Sequence, residues 1–370
     1  MKREHDSIAG RQIWIATEDY PPKLGGLARW SENTARALSD RGARVTVLAK
    51  KADPARHRDA AWTVVGVTGP DFPRWRRFHF RRTGRGVQRT GNAPDLIIAS
   101  TWHVGEAFAG RRPRVPLTIA IHGLEVFRPW PAGRRRRMAK TLSAADRLVA
   151  ASAYTAGRVR EIVPGRDIAV GLNGIDREVF APPGRLLPPD RDLQLLSVGR
   201  LVERKRFDLV LEVVAASTER GLDVGLWIIG RGPLEPDLRA RAAERGIDAR
   251  VRFLGARTDR ELAVYYRSAD LFVSPCQSDP ATGDVEGFGL TFVEAAACGT
   301  PAVALAEGGV TDAVEDGLSG LLTTRDDFVA RTLELLGDRP RINRLSEQAA
   351  ERARRFDIRR VVTNLLPEGF

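Results

Sequence analysis

The sequence predicts an α/β protein of two domains, each built on a parallel sheet covered by helices on both faces. Three observations predict it. Short apolar runs alternate along the chain with segments of helical periodicity, which is the pattern of βαβ units rather than of hairpins. The pattern stops at a proline-rich break, residues 181–189, where Pro182, Pro183, Pro188 and Pro189 stand, and it restarts beyond. The 370 residues also exceed what one core ordinarily fills. The domains expected are residues 1–180 and 190–355.

Taken in order, residues 12–16 (Gln-Ile-Trp-Ile-Ala) read as a first buried strand. A loop, residues 17–26, leads into a helix over residues 27–40 that closes at Gly42. Strands follow at residues 45–49, 62–67, 96–99, 117–121 and 147–150, each a run of mostly aliphatic residues. After the proline-rich break come strands at 194–198, 224–229, 251–254, 271–274 and 302–305, separated by helical patterns. The last of those helices runs over residues 290–298 and stops at Gly299.

Composition narrows the class. A hydrophobic content of 43% supports real cores. No apolar run is long enough to span a bilayer, and the opening Met1-Lys2-Arg3-Glu4-His5-Asp6 lacks the apolar segment of a signal peptide. Two cysteines, Cys276 and Cys298, give neither a disulfide framework nor a zinc site. A cytoplasmic enzyme is the simplest class. The net charge of +12 asks for an acidic partner. The excess gathers in the first half: residues 72–89, from Phe72 to Arg89, hold seven arginines and no acid, and Arg111, Arg112, Arg114 and the run Arg134 to Arg137 follow. Abundant arginine with little lysine also fits a GC-rich genome. A nucleic-acid binder is the alternative of another class; it rests on charge alone, since no helix-turn-helix, zinc finger or aromatic RNA motif is present. No nucleic-acid partner is expected.

The most informative stretch is Glu286-Gly287-Phe288-Gly289-Leu290-Thr291-Phe292-Val293-Glu294. Two glycines flank a phenylalanine where a helix should begin. A helix start leaves N–H groups unpaired and carries partial positive charge, so it suits phosphate or sugar oxygens. Two carboxylates eight positions apart and a ring of free amides suit a polyhydroxylated, anionic ligand such as a sugar nucleotide. The string Glu286 to Pro301 resembles the E-x7-E motif of the retaining glycosyltransferases of family 4. The resemblance covers nearly the whole chain and implies the GT-B fold: two Rossmann-like domains facing a central cleft, with a C-terminal helix near residues 356–370 packing back on the first domain.

The resemblance also implies roles. Glu294 would hold the ribose hydroxyls. Glu286 and the amides around Gly287, Phe288, Gly289, Leu290 and Thr291 would hold the donor sugar. Ser197-Val198-Gly199-Arg200-Leu201-Val202-Glu203-Arg204-Lys205 resembles the family's G-R-L-x-x-x-K segment; Gly199 would approach the donor, and Arg200 and Lys205 would neutralise the departing diphosphate. The family usually has Gly after that Lys; Arg206 stands here. Tyr20-Pro21-Pro22-Lys23-Leu24-Gly25-Gly26 lies after the first strand, where ligands gather, and Gly25 and Gly26 let backbone come close to a substrate. His122, just past a strand end, would contact the donor sugar near the reacting centre, with Glu125 orienting it or meeting the acceptor. Asn173-Gly174-Ile175-Asp176 reads as an architectural turn.

Gly230-Arg231-Gly232-Pro233 has only two glycines of a dinucleotide fingerprint, so NAD binding is not expected. The one Asp-x-Asp triplet of interest, Asp190-Arg191-Asp192, lies in the linker. With Arg200 and Lys205 present, transfer is expected to need no metal and no cofactor beyond the sugar nucleotide itself. The expected reaction moves a hexosyl group from a GDP- or UDP-sugar to an acceptor of unknown identity; a nucleotide-sugar epimerase or a phosphorylase on the same fold is the alternative. An anionic membrane surface, met through residues 72–89, is the further partner expected, which would make the enzyme peripheral at the inner face of the membrane.

Overall fold

The structure is a computed structural model that describes residues 8–23, 25–50, 52–69, 73–110, 114–181, 184–279 and 281–370. Phe72, Leu24, Arg111, Arg112, Pro182 and Pro183, which figure in the sequence reading, lie outside the described residues. The chain forms two compact units, one of residues 1–174 with 358–370, the other of residues 175–357. It therefore leaves the first unit just after Gly174 and returns to it at Ile358, ahead of and beyond the proline-rich stretch.

The first unit is a seven-stranded parallel sheet of β1 (Gln12–Thr17), β2 (Arg44–Lys50), β3 (Thr63–Val67), β4 (Leu96–Ala99), β5 (Leu117–Ile121), β6 (Arg147–Ala150) and β7 (Ala169–Val170), in the order β3-β2-β1-β4-β5-β6-β7. Every residue of β1, β4 and β5 is buried, as a sheet covered on both faces requires. The core gathers Trp14, Phe80, Trp102, Phe108, Ile119 and Leu148. Residues 358–370 close this unit: Thr118 Oγ1 donates to the Leu365 carbonyl (2.8 Å), and Arg147 Nε to that of Asn364 (2.6 Å).

The second unit is a six-stranded parallel sheet of β8 (Leu193–Val198), β9 (Val224–Ile229), β10 (Val251–Gly255), β11 (Leu271–Ser274), β12 (Ala302–Leu305) and β13 (Gly320–Thr323), in the order β10-β9-β8-β11-β12-β13. Leu195, Val210, Val213, Ile228, Val273 and Phe328 lie in its core. In both sheets the strand order reverses beside the first strand of the unit. Those reversals, between β1 and β4 and between β8 and β11, open a crevice at the carboxyl ends of the strands, where such sheets bind ligands.

Two glycine-rich segments take their meaning from packing. A Cβ on Gly230 would stand 1.8 Å from the Gly199 carbonyl oxygen, and one on Gly232 2.2 Å from that of Leu201. The Gly230-Arg231-Gly232 pair thus lets two strand ends touch through backbone.

Residues 73–89 form a helix, Pro73–Arg89, despite Gly84 and Gly86 within it. Tertiary packing overrides the local glycine cost of about 1 kcal/mol each: Phe80 is fully buried, and a Cβ on Gly84 would meet the Trp14 ring at 3.0 Å. The sequence had treated all seven arginines and the aromatics of this stretch as one outward surface, and that needs correction. Phe80 belongs to the core, Arg76 pairs with Glu18 (2.5 Å), and Arg81 Nε donates to the Ala107 carbonyl (2.7 Å). Trp75, Arg77, Phe78, Arg82, Arg85 and Arg89 remain exposed.

Candidate active site

In the second unit, the carboxyl end of β8 runs into Gly199 and Arg200, then a short 3-10 turn, Glu203–Lys205. This turn places two cations against a carboxylate 81 and 82 positions away. Lys205 Nζ donates to Glu286 Oε2 (2.7 Å) and Arg204 Nη1 to the same oxygen (2.8 Å). The Cys276 thiol donates to it as well (3.2 Å), and Arg204 Nε pairs with Asp284 (2.9 Å). The stem of Lys205 lies across Gly199, whose Cβ would be 3.5 Å from Lys205 Cε.

Burial pushes the Glu286 carboxyl upward, yet the charges of Lys205 and Arg204 and their hydrogen bonds hold it well below the usual carboxylate range. Burial pulls Lys205 down, and Glu286 more than offsets that, so Lys205 stays charged. Burial raises the Cys276 thiol to about 11, which leaves it neutral beside the ion pair. The group therefore carries two cations and one anion, with Asp284 at its rim. Arg200 is exposed and makes no ion pair among the described residues.

Arg206, where the resembling family has Gly, adopts the left-handed conformation (φ 48, ψ 44) that glycine favours. Its guanidinium compensates with a bidentate pair to Asp208 (Nε–Oδ1 2.9 Å, Nη2–Oδ2 2.7 Å) and a bond to Gln277 Oε1 (2.8 Å). The left-handed turn is thereby held with a side chain in place. Beside it opens a cavity of about 760 Å³ lined by Arg204, Arg206, Gln277 and Asp284 among others. That is the size range of small-molecule sites.

The segment after Glu286 reaches the helix Leu290–Ala297 through Gly289, which is left-handed (φ 89) and would drive a Cβ to 2.4 Å from the Phe292 ring. No side chain caps this helix start. Leu290 and Thr291 are partly exposed there, while Phe288 is buried against Phe356. The loop is pinned from below: Gly309 N–H donates to the Glu286 carbonyl (2.8 Å), and a Cβ on Gly309 would stand 2.1 Å from the Gly287 carbonyl. Glu294 is buried and accepts from the Tyr266 hydroxyl (3.2 Å). Glu286 thus precedes the helix and Glu294 lies within it, each with its own partners.

In the first unit, Gly25 (φ 145) precedes the helix Gly26–Asp40, again with no side-chain cap. No described residue lies within 4 Å of a Cβ on either Gly25 or Gly26. His122 follows β5 and meets the Trp30 ring edge-on at 4.8 Å. Burial lowers it to about 4, so the imidazole is neutral, and its Nε2 has no hydrogen-bond partner among the described residues. Glu125 does not reach that ring; its Oε1 accepts from the His122 backbone N–H (2.7 Å), so it orients the turn rather than the imidazole. Burial raises Glu125 to about 7 despite the backbone N–H groups of Glu125, His122 and Gly123.

Sequence reasoning gives no role in the site to Arg204, Cys276 or Asp284, nor to Glu18, His103 and Trp130 of the first unit; Arg76 and Arg134 figure there only in the basic excess. Arg204 stood inside the quoted string and was available as a signal; the others meet only across sequence distances that no local pattern encodes. Among the described residues no group of three or more His, Cys, Asp or Glu is arranged to hold a metal ion.

The profile described as "Glycosyltransferase Family 4" matches residues 24–179, and "Glycosyl transferases group 1" matches residues 183–352. The chain is 34% identical over 304 residues to a D-inositol 3-phosphate glycosyltransferase of Nocardiopsis dassonvillei, covering 74% of this chain and 69% of that one. It is 28% identical to a GDP-mannose-dependent alpha-(1-6)-phosphatidylinositol monomannoside mannosyltransferase of Mycolicibacterium smegmatis, covering 88% and 89%. Among solved structures, a sucrose-phosphate synthase of Thermosynechococcus elongatus shares the fold, with a TM-score of 0.77 at 21% identity over 95% of this chain and 96% of that one. The chain belongs to glycosyltransferase family 4. It is an enzyme with the two-domain GT-B type of fold that transfers a sugar from a nucleotide-sugar donor to an acceptor.

Proposed function

We propose that the enzyme moves a hexosyl group from a UDP- or GDP-sugar to its acceptor with retention of anomeric configuration, and without a metal. The observation that carries this reading is the partly buried group of Lys205, Arg204 and Glu286 beside the uncapped start of the helix Leu290–Ala297. The second unit, residues 190–355 in the sequence reading, takes the donor, and the first takes the acceptor.

In this reading the donor diphosphate is held by Arg200, which has no competing carboxylate, and by Lys205, which Glu286 already holds charged and in place. The amides of Leu290 and Thr291 meet sugar oxygens, and Glu286 accepts from sugar hydroxyls. Glu294 exchanges its Tyr266 contact for the ribose hydroxyls. As the bond between C1 and the phosphate oxygen breaks, negative charge grows on the diphosphate, and fixed cations stabilise it most at that moment. The acceptor hydroxyl attacks C1 on the same face and passes its proton to the leaving phosphate. Neutral His122, its turn braced by Glu125, is assigned the role of a hydrogen-bonding group for the donor sugar.

The exposed face of the helix Pro73–Arg89, with Trp75 and Phe78 flanked by Arg77, Arg82, Arg85 and Arg89, docks on an anionic membrane surface. Arginine is attracted to such a surface by about 1 kcal/mol per charge, and aromatic rings suit the headgroup boundary.

A donor screen over UDP- and GDP-sugars tests the reading. Arg200→Ala and Lys205→Ala are expected to lower turnover more than they raise the donor KM. Glu294→Ala is expected to weaken donor binding by roughly 2–4 kcal/mol on a folded protein. Wild-type turnover in both cation variants, or loss of activity in EDTA that manganese restores, contradicts the assignment.

A further inference from the structure

The first unit holds a basic cluster that the donor chemistry leaves unused. Glu18 follows β1, His103 follows β4, and the 122–125 turn follows β5, so all three lie at carboxyl ends of strands. The indoles of Trp102 and Trp130 both donate to the Glu125 carbonyl (3.1 and 2.9 Å), which fixes the two rings. His103 stacks on Trp102 (3.8 Å) and meets Trp130 edge-on (5.7 Å). Arg134 lies over the face of Trp130 (3.6 Å) and donates Nη2 to His103 Nε2 (2.7 Å). Arg128 sits 5.8 Å from the same Trp130 ring.

Guanidinium has only donors, so His103 accepts through Nε2 and is neutral. Burial, and then the charges of Arg76, Arg134, Arg137 and Arg128, lower it to about 3, in agreement with that bond. Four guanidinium charges, that of Arg134 in direct contact, thus act on one neutral imidazole. Two have carboxylates: Arg76 pairs with Glu18 (2.5 Å) and Arg137 with Glu106 (3.2 Å). Arg134 and Arg128 have none within ion-pair distance among the described residues, and Arg134 Nε is buried without a hydrogen-bond partner.

A solvated charge run accounts for Arg135 and Arg136, which are exposed. It does not account for Arg134, which is held partly buried against an aromatic face beside other cations. Gathering like charges opposes folding, and a partly buried guanidinium that spends Nη2 on His103 and has no carboxylate among the described residues keeps donors for the tetrahedral oxygens of a phosphate.

We propose that Arg134 and Arg128, with Arg76 beside them, bind the phosphate group of a phosphate-bearing acceptor, and that His103 and Trp130 are positioning residues for Arg134. This deepens the reading that the first unit takes the acceptor, and rests on it. The phosphate belongs either to a soluble sugar or polyol phosphate or to a lipid headgroup.

The test is calorimetric titration at constant ionic strength, on protein saturated with UDP or GDP so that donor phosphate contacts are filled. The probes are inorganic phosphate, glucose 6-phosphate beside glucose, and phosphatidylcholine vesicles with and without phosphatidic acid. The phosphate-bearing probes bind and glucose does not. Arg134→Gln weakens them by roughly ten- to a hundredfold, the loss of a charge-assisted hydrogen-bonded pair, and Arg134→Lys recovers part of it. Arg134-dependent binding of glucose 6-phosphate assigns a soluble source; dependence seen only with phosphatidic acid assigns a lipid. Wild type that binds none of the phosphate probes, or Arg134→Gln that binds them as tightly, overturns the inference. UDP and GDP binding in the same proteins reads the donor site separately, so its failure in wild type sinks the proposed function whichever way the phosphate titrations fall.

Discussion

Replacing Glu286 by Gln isolates the charge balance on which the candidate site is built. The substitution keeps shape and removes one negative charge from between two cations, Lys205 (12% exposed side chain) and Arg204 (18%). Each pair is worth about 4 kcal/mol of attraction at an effective dielectric of 20, before the cost of taking the charges from water. Removing one partner of a buried pair typically costs about 3–5 kcal/mol, because the other charge is left without compensation. Arg204 keeps Asp284 at 2.9 Å, so the loss falls mainly on Lys205, and the lower figure, about 3 kcal/mol, is expected. For a unit of this size that corresponds to a fall in Tm of about 6–12 °C. Lys205→Met should be destabilising alone, yet the double variant should be more stable than the sum of the two losses, by at least about 1 kcal/mol. UDP or GDP should stabilise Glu286→Gln more than wild type, since a diphosphate supplies the missing anion. Thermal and urea unfolding of the four proteins, with and without nucleotide, measures all of this. Single losses that add to within about 0.5 kcal/mol would refute the coupling.

Three further outcomes are expected. The Glu125 carboxyl, raised from its ordinary 4.5 to about 7, binds more protons folded than unfolded between those values. Its contribution is therefore full below about pH 4.5 and is lost as pH rises through 7, up to about 3 kcal/mol; Glu125→Gln should flatten unfolding free energy against pH in that window, and an unchanged slope would remove the argument. Arg206→Ala loses the Asp208 and Gln277 bonds and keeps the left-handed strain, whereas Arg206→Gly loses the bonds and relieves it, so the glycine variant should be the more stable by about 1 kcal/mol in urea unfolding. In flotation, wild type should bind vesicles containing anionic lipid at low salt and release them at high salt, and a variant with Arg77, Arg82, Arg85 and Arg89 changed to Gln should not bind; wild type that ignores such vesicles ends the membrane reading.

The two α/β sheets were legible because every central strand is buried on both faces. Such strands read as unbroken apolar runs, so Leu96–Ala99, Leu117–Ile121, Val224–Ile229 and Leu271–Ser274 come out of the sequence with the bounds they have in the structure. Two edge strands escaped notice. Ala169–Val170 has only two residues, and Gly320–Thr323 begins on a glycine whose Cβ would stand 2.3 Å from the Ala302 carbonyl, a constraint no local pattern shows. Gly84 is tolerated inside Pro73–Arg89 because it seats the helix on Trp14.

The sequence by itself determined the family and the glycine-flanked helix start, since both are written in short contiguous strings. Only the tertiary structure decided what each charge meets. Lys205 and Glu286 are 81 residues apart, and His103 and Arg134 are 31 apart. Their protonation, pairing and accessibility depend on distances below 3 Å and on desolvation. Those are properties of packed strand ends, and residue type alone does not carry them.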